Sequence, residues 1–209
     1  MTIPRPRWFW MQPPSHLHGR GHTARVMVWA AVLTRGTEWF EPVVWAAACH
    51  DLRRQDDGAD PEHGFRAGAW VRTRLPQMLR EPPADLERIA RACDWHVCPD
   101  RRSGWDHPVL WLLKDADGLD RVRLHNLDPS YLRHRETRRW LKQADLLYRA
   151  TRRLQDPARI WQRAADLGLP VAELLTYAAE QSDNLAAASA SGLSDPNSSP
   201  ANCSGPKRS

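Results

Sequence analysis

From residue 15 to residue 183 the chain reads as a series of apolar runs at helical spacing, each closed by a polar, glycine or proline break. In SHLHGRGHTARVMVWAAVLTRG, Val26, Trp29, Ala30 and Leu33 recur at three and four residues, the spacing of one helix face. Ser15 is a candidate cap and Gly36 a candidate stop. Gly19 and Gly21 weaken the first turns, so the helix is expected to begin near Gly21. EPVVWAAACHDL is apolar nearly all round, which predicts a central, buried helix with Pro42 in its first turn. RRQDDGADPEHG predicts a polar loop with Gly58 and Pro61 as turn residues.

EHGFRAGAWVRTRL predicts a helix halted by Pro76. ADLERIARACDWH places Leu86, Ile89, Ala90 and Cys93 on one helical face. HPVLWLLKDADGLDRVRL predicts an apolar helix that runs into a cluster of acids. A long basic helix is expected from Pro129 to about Arg153, then two shorter ones in PARIWQRAADLG and PVAELLTYAAEQ. No stretch shows clear two-residue alternation, so the expected fold class is all-α. Residues 1–15 carry Pro4, Pro6, Pro13 and Pro14 and are expected to form an irregular arm. Residues 16–183 form one expected domain. Residues 184–209 turn to Ala, Ser, Asn, Gly and Pro and are expected to be disordered.

Composition narrows the class. The 209 residues are 42% hydrophobic and 26% charged, as in a soluble globular protein with one sizeable core. Cys49, Cys93, Cys98 and Cys203 suggest no disulfide framework, which suits a reducing cytoplasm. No run approaches the roughly 18 apolar residues of a membrane span, and the proline-rich N-terminus does not read as a signal peptide. The net charge of +5 is uneven, since residues 121–163 hold twelve Arg or Lys against four Asp or Glu. That excess leaves a nucleic-acid partner open, but the favoured reading is the solvated face of long helices.

Candidate chemistry collects at the ends of the apolar helices. His22, the pair His50-Asp51, and Asp117 each adjoin an apolar run, where a lone charge is expensive. Two imidazoles and two carboxylates around a divalent cation relieve that expense, and the donor mix suits Mn, Fe, Zn, Ni or Co better than Ca. His63 and His96 lie close by in sequence, and His18 precedes His22 by one helical turn. These three are candidates for a second metal or for substrate phosphate. CDWHVC suggests a Cys/His zinc knuckle only weakly, because no partner pair exists elsewhere.

The order His, His-Asp, Asp on helices resembles the HD-domain metal-dependent phosphohydrolase superfamily. The segments HGRGHTARV, AAACHDLRRQDDGADPEHGFRAG, ARACDWHV and KDADGLDRVRL are similar to a subgroup of small bacterial HD proteins, over about residues 16–140. The resemblance implies a helical bundle and His22, His50, Asp51 and Asp117 as ligands of a divalent cation, Mg included. It selects Asp117 over Asp115 and Asp120, and it allows one metal or two. Gly118 stands where a larger residue is expected.

The implied activity is hydrolysis of a phosphate ester, a small nucleotide or related monoester, with Asp51 catalytic. Arg53, Arg54, Arg66 and Arg121 are candidate phosphate contacts, and Arg25 a candidate partner for a core acid such as Asp120. Rival readings are a non-catalytic metal- or nucleotide-binding module and a two-iron oxygenase on the same fold. The sequence leaves the oligomeric state open.

Overall fold

The structure is a computed structural model that describes residues 3–4, 15 and 17–176. It is all-helical, with no strand among the described residues. The helices are α1 (Arg20–Thr34), α2 (Phe40–Cys49), α3 (His63–Thr73), α4 (Leu75–Met78), α5 (Leu86–Trp95), α6 (Pro108–Asp120), α7 (Leu141–Thr151) and α8 (Pro157–Asp166). Short 3-10 turns join several of them. None of the described helices is long and apolar enough to cross a membrane. The expected arm and tail lie almost wholly outside the described residues.

Helix α1 is the axis of the fold. Thirteen of its residues are buried, because α2, α6 and α8 pack around it. It begins at Arg20, close to the expected Gly21, and its entry lacks a side-chain cap. Ser15 caps the preceding turn instead, accepting from the Leu17 and His18 amides. Gly36 closes α1 with φ of 73°, a left-handed value that residues with a Cβ rarely adopt. Helix α2 is buried on all sides and carries Trp45 at 1% exposure. Trp161 of α8 completes the core and donates its indole N–H to Ala24 O at 3.2 Å. Truncating Trp161 to Ala is expected to cost about 3–5 kcal/mol.

Helices α3 and α5 form a tightly apposed pair beside α2. Gly64 and Gly68 make the approach possible. A Cβ on Gly68 would lie 1.9 Å from Asp94 Oδ1 and 2.7 Å from Ala90 O. Arg72 then bridges Asp94 and Glu87 across the pair. Asp85 caps α5 by accepting from the Arg88 amide. Pro76 does not simply stop a helix; it sits in the first turn of the one-turn α4.

The long basic helix expected from Pro129 to about Arg153 does not form. A 3-10 turn (Pro129–Tyr131), a bend and a longer 3-10 segment (Arg135–Trp140) precede α7. The cause is Asp115. Its fully buried carboxylate accepts from the backbone N–H groups of Arg133 and His134 at 2.8 and 2.9 Å, from His134 Nδ1 and from Thr137 Oγ1. Those amides serve the carboxylate rather than a helical ladder, so the chain stays open there.

Candidate metal centre

The site gathers at one end of the bundle. His50 caps the C-terminus of α2 and Asp51 follows it. His96 caps the C-terminus of α5. Asp117 lies in the last turn of α6, His22 in the first turn of α1, and His63 opens α3. Three helices thus aim C-terminal ends at the site, and the negative ends of their dipoles favour a cation.

Each of four imidazoles has its Nδ1 occupied. His50 Nδ1 donates to Ala47 O at 2.8 Å, His96 Nδ1 to Cys93 O at 2.7 Å, and His63 Nδ1 to Asp60 O. A carbonyl can only accept, so Nδ1 carries the proton in each. His22 Nδ1 bonds Asp120 Oδ2 at 2.8 Å, and Asp120 is itself gripped by Arg25 at 2.6 and 3.1 Å. The Arg25–Asp120 pair suggested by the sequence is therefore present. The Nε2 atoms of all four rings point inward and converge.

His22 and His50 Nε2 lie 3.2 Å apart, and His63 and His96 Nε2 3.0 Å apart. His22 Nε2 is 3.5 Å from Asp51 Oδ2 and 3.4 Å from Asp117 Oδ1. Asp51 Oδ1 is 3.0 Å from His63 Nε2 and 3.9 Å from His96 Nε2. Donors bound at about 2.0–2.2 Å to one cation sit roughly 3.0–3.5 Å from each other, so these spacings fit a shared ion. One oxygen of Asp51 faces the His22, His50 and Asp117 group, and the other faces His63 and His96. The overlapping groups His22–His50–Asp117 and His50–Asp51–His96 each come within ligand reach of a single ion.

The electrostatics follow from this crowding. Burial opposes charge on Asp51, yet the imidazoles of His50, His18, His22 and His63 outweigh it and hold the carboxyl well below its ordinary range. Asp117 is also lowered against burial, by His22, His50 and Arg123. Burial pushes His50 down to about 4, so the ring is neutral at pH 7 and free to act as a ligand. His22 is raised: burial and Arg123 lower it, but the carboxylates of Asp120 and Asp51 prevail. Asp120 is held at about 2, against burial, by Arg25 and His22.

His18 is placed differently. Its Nδ1 faces Asp51 Oδ2 at 2.8 Å and Arg123 at 3.4 Å, in the turn before α1. It belongs to a third potential group with His22 and Asp51.

The arginines divide. Arg54 reaches the site edge, 3.8 Å from Asp51 Oδ1 and against His63, while Asp56 O and Gly58 O hold its other nitrogens. Arg66 is turned away onto Asp60 at 2.5 and 2.7 Å, and Arg53 is exposed and meets Arg66 through its carbonyl. Neither is brought to the centre. Arg121 lines a cleft of about 380 Å³ that opens beside Asp117 and His96.

Lys114 and Arg133 line the same cleft, and sequence reasoning missed both. Lys114 is anchored by Cys98 O at 2.6 Å and Asp100 Oδ1 at 2.8 Å. A lysine inside an apolar helix, one turn before Asp117, was the available signal. Arg133 gave none, because Asp115 places it. Asp115 itself is structural, Asp120 orients His22, and Asp117 is the acid of that cluster that reaches the centre. No family model, curated protein or solved structure matches this chain.

Proposed function

We propose that the chain is a metal-dependent phosphohydrolase of the HD-domain kind, acting on a small phosphate ester such as a nucleotide. The carrying observation is the convergence of four Nε2 atoms on the two oxygens of Asp51, with every Nδ1 tied off. Two imidazole nitrogens 3.0–3.2 Å apart cannot both point lone pairs at each other unless a cation, a metal ion or a shared proton, lies between them. His22, His50, Asp51 and Asp117 would hold one divalent ion, and Asp51, His63 and His96 a second. Such an ion supplies a water of lowered pKa and polarises a phosphoryl oxygen.

The chain's own groups account for the rest of the reaction. Asp51 sits between the two donor groups and orients what binds there. Asp120 and Arg25 lock the His22 ring, which raises its basicity as a ligand. Arg121, Lys114 and Arg133 face the cleft where the ester lies and offset charge developing on its oxygens. Arg54 serves the opposite edge. The free thiols of Cys49, Cys93 and Cys98 agree with a cytoplasmic setting.

The test is phosphate release from nucleotides and phosphomonoesters with added Mn²⁺, wild type beside Asp51→Ala. Release by the wild type alone supports the reading. Release by neither, with stoichiometric iron and a visible absorption band, would replace it with the two-iron oxygenase. The imidazole-rich donor set favours that second reading more than a bare binding module.

A further inference from the structure

We propose that the basic surface continuing from the cleft binds single-stranded nucleic acid, the strand's end lying in the cleft. The idea deepens the phosphohydrolase reading and rests on it for the chemistry, while the surface itself is argued from charge and exposure. Arg121, Lys114 and Arg133 line the cleft, Lys114 and Arg133 sharing the Asp100 carboxylate, so the cleft has a net positive wall for one phosphate group. Beyond Arg133 the chain presents Arg135, Arg138, Arg139 and Lys142, all exposed, and then Arg149, Arg152 and Arg153.

Several arginines elsewhere are paired: Arg25 with Asp120, Arg66 with Asp60, Arg72 with Glu87 and Asp94. Arg135, Arg138, Lys142, Arg152 and Arg153 have no carboxylate partner among the described residues. The acids between them are few, and Asp145 is spent on Arg149.

Local structure sets the direction of these side chains. Helix α7 buries Ala144, Leu147 and Thr151, which turns Lys142, Arg149, Arg152 and Arg153 outward. The 3-10 segment buries only Thr137, leaving Arg135, Arg138 and Arg139 to solvent. Arg135 to Lys142 covers roughly 13 Å of axis, long enough for a repeating anion rather than a single one.

Tyr131 stands at the cleft wall with its side chain 72% exposed, a free face for a base to stack on. An anionic lipid surface would want apolar side chains among the cations. Between residues 129 and 153 only Tyr131 and Leu146 are large exposed apolar side chains among the described residues. The balance favours a phosphodiester strand.

The experiment is fluorescence anisotropy of a labelled twenty-nucleotide oligothymidylate with the full chain, across a salt series and without added metal. About four phosphate contacts give a slope of log K against log salt near −3. Arg135→Glu/Arg138→Glu/Lys142→Glu is expected to weaken binding more than 30-fold and to bring the slope to about −1. Its melting temperature, metal content and hydrolysis of mononucleotides should stay unchanged. If that variant melts early, the triple Ala variant serves, with about a tenfold loss expected. Tyr131→Ala should weaken binding several-fold at an unaltered slope.

Wild-type binding without salt dependence, or unchanged binding by the triple variants, overturns the proposal. So does equal or tighter binding to phosphatidylserine vesicles. Strand binding without any phosphate release refutes the hydrolase reading alone; small-ester hydrolysis without strand binding refutes this surface alone.

Discussion

Gly68→Ala probes whether the α3–α5 approach builds half of the centre. The added Cβ would sit 2.7 Å from the Ala90 carbonyl oxygen and closer still to Asp94 Oδ1. Asp94 can rotate only by releasing Arg72, which bonds it at 2.8 Å. The backbone contact remains even then, and restoring it to ordinary separation moves α3 from α5 by roughly 0.7 Å. Overpacking of this kind costs about 1–3 kcal/mol. For a chain of this size that lowers the melting temperature by about 4–8 °C at a mid-range cost of ~2 kcal/mol.

The same movement separates His63 from His96, whose Nε2 atoms are 3.0 Å apart. Ligand distances tolerate only about 0.2 Å, so the ion held on that side is expected to be lost. His22, His50 and Asp117 lie on α1, α2 and α6 and keep their ion. If the proposed centre holds two ions, metal analysis after dialysis should fall from two per chain to one, with the melting curve shifted as stated. Full metal content at an unchanged melting temperature would refute the claim that helix approach sets this pair.

Other outcomes follow from the same geometry. Asp120→Ala strips His22 of its orienting partner and leaves Arg25 buried without its anion. Metal affinity should fall 10–100-fold by titration, and stability by about 3–5 kcal/mol in denaturant melts. His22→Ala or Asp117→Ala should lose metal and phosphate release together, whereas His96→Ala should lose one ion of two. Asp115→Ala orphans a set of donors at 133–137, each worth about 1–3 kcal/mol, so limited proteolysis should cut first near residue 133. The hydrogen bond from His134 to Asp115 raises the His134 pKa above 6.5. Its folded pKa exceeds its unfolded one, so the stabilisation is whole below pH 6.5 and fades as pH rises through the raised value. His134→Asn should flatten that stretch of the stability profile.

The helices were legible because their apolar spacing matches what packing rewards, as in α5 and α8. The four residues His22, His50, Asp51 and Asp117 stood out because each ends or opens an apolar run. His63 and His96 were visible as candidates, but their meeting was not, since it depends on two glycines letting α3 approach α5. The break at 132–134 was hidden because its cause is a carboxylate 18 residues earlier, and local propensity favours helix there. That Arg66 is bound to Asp60 was hidden for the same kind of reason, since only the folded loop brings the two together.

Helix α1 is made early and finished late. Its walls come from α2, α6 and α8, and the indole that closes on Ala24 belongs to a residue 137 positions later. At 5–20 residues per second a ribosome needs about 7–27 s to bridge that gap. During that interval a helix buried all round in the finished protein has no lid, and for about the first two thirds of it Asp117 is not yet available to the two histidines. The nascent chain must be sheltered through that wait, and truncation anywhere before α8 should yield insoluble product rather than a smaller working domain.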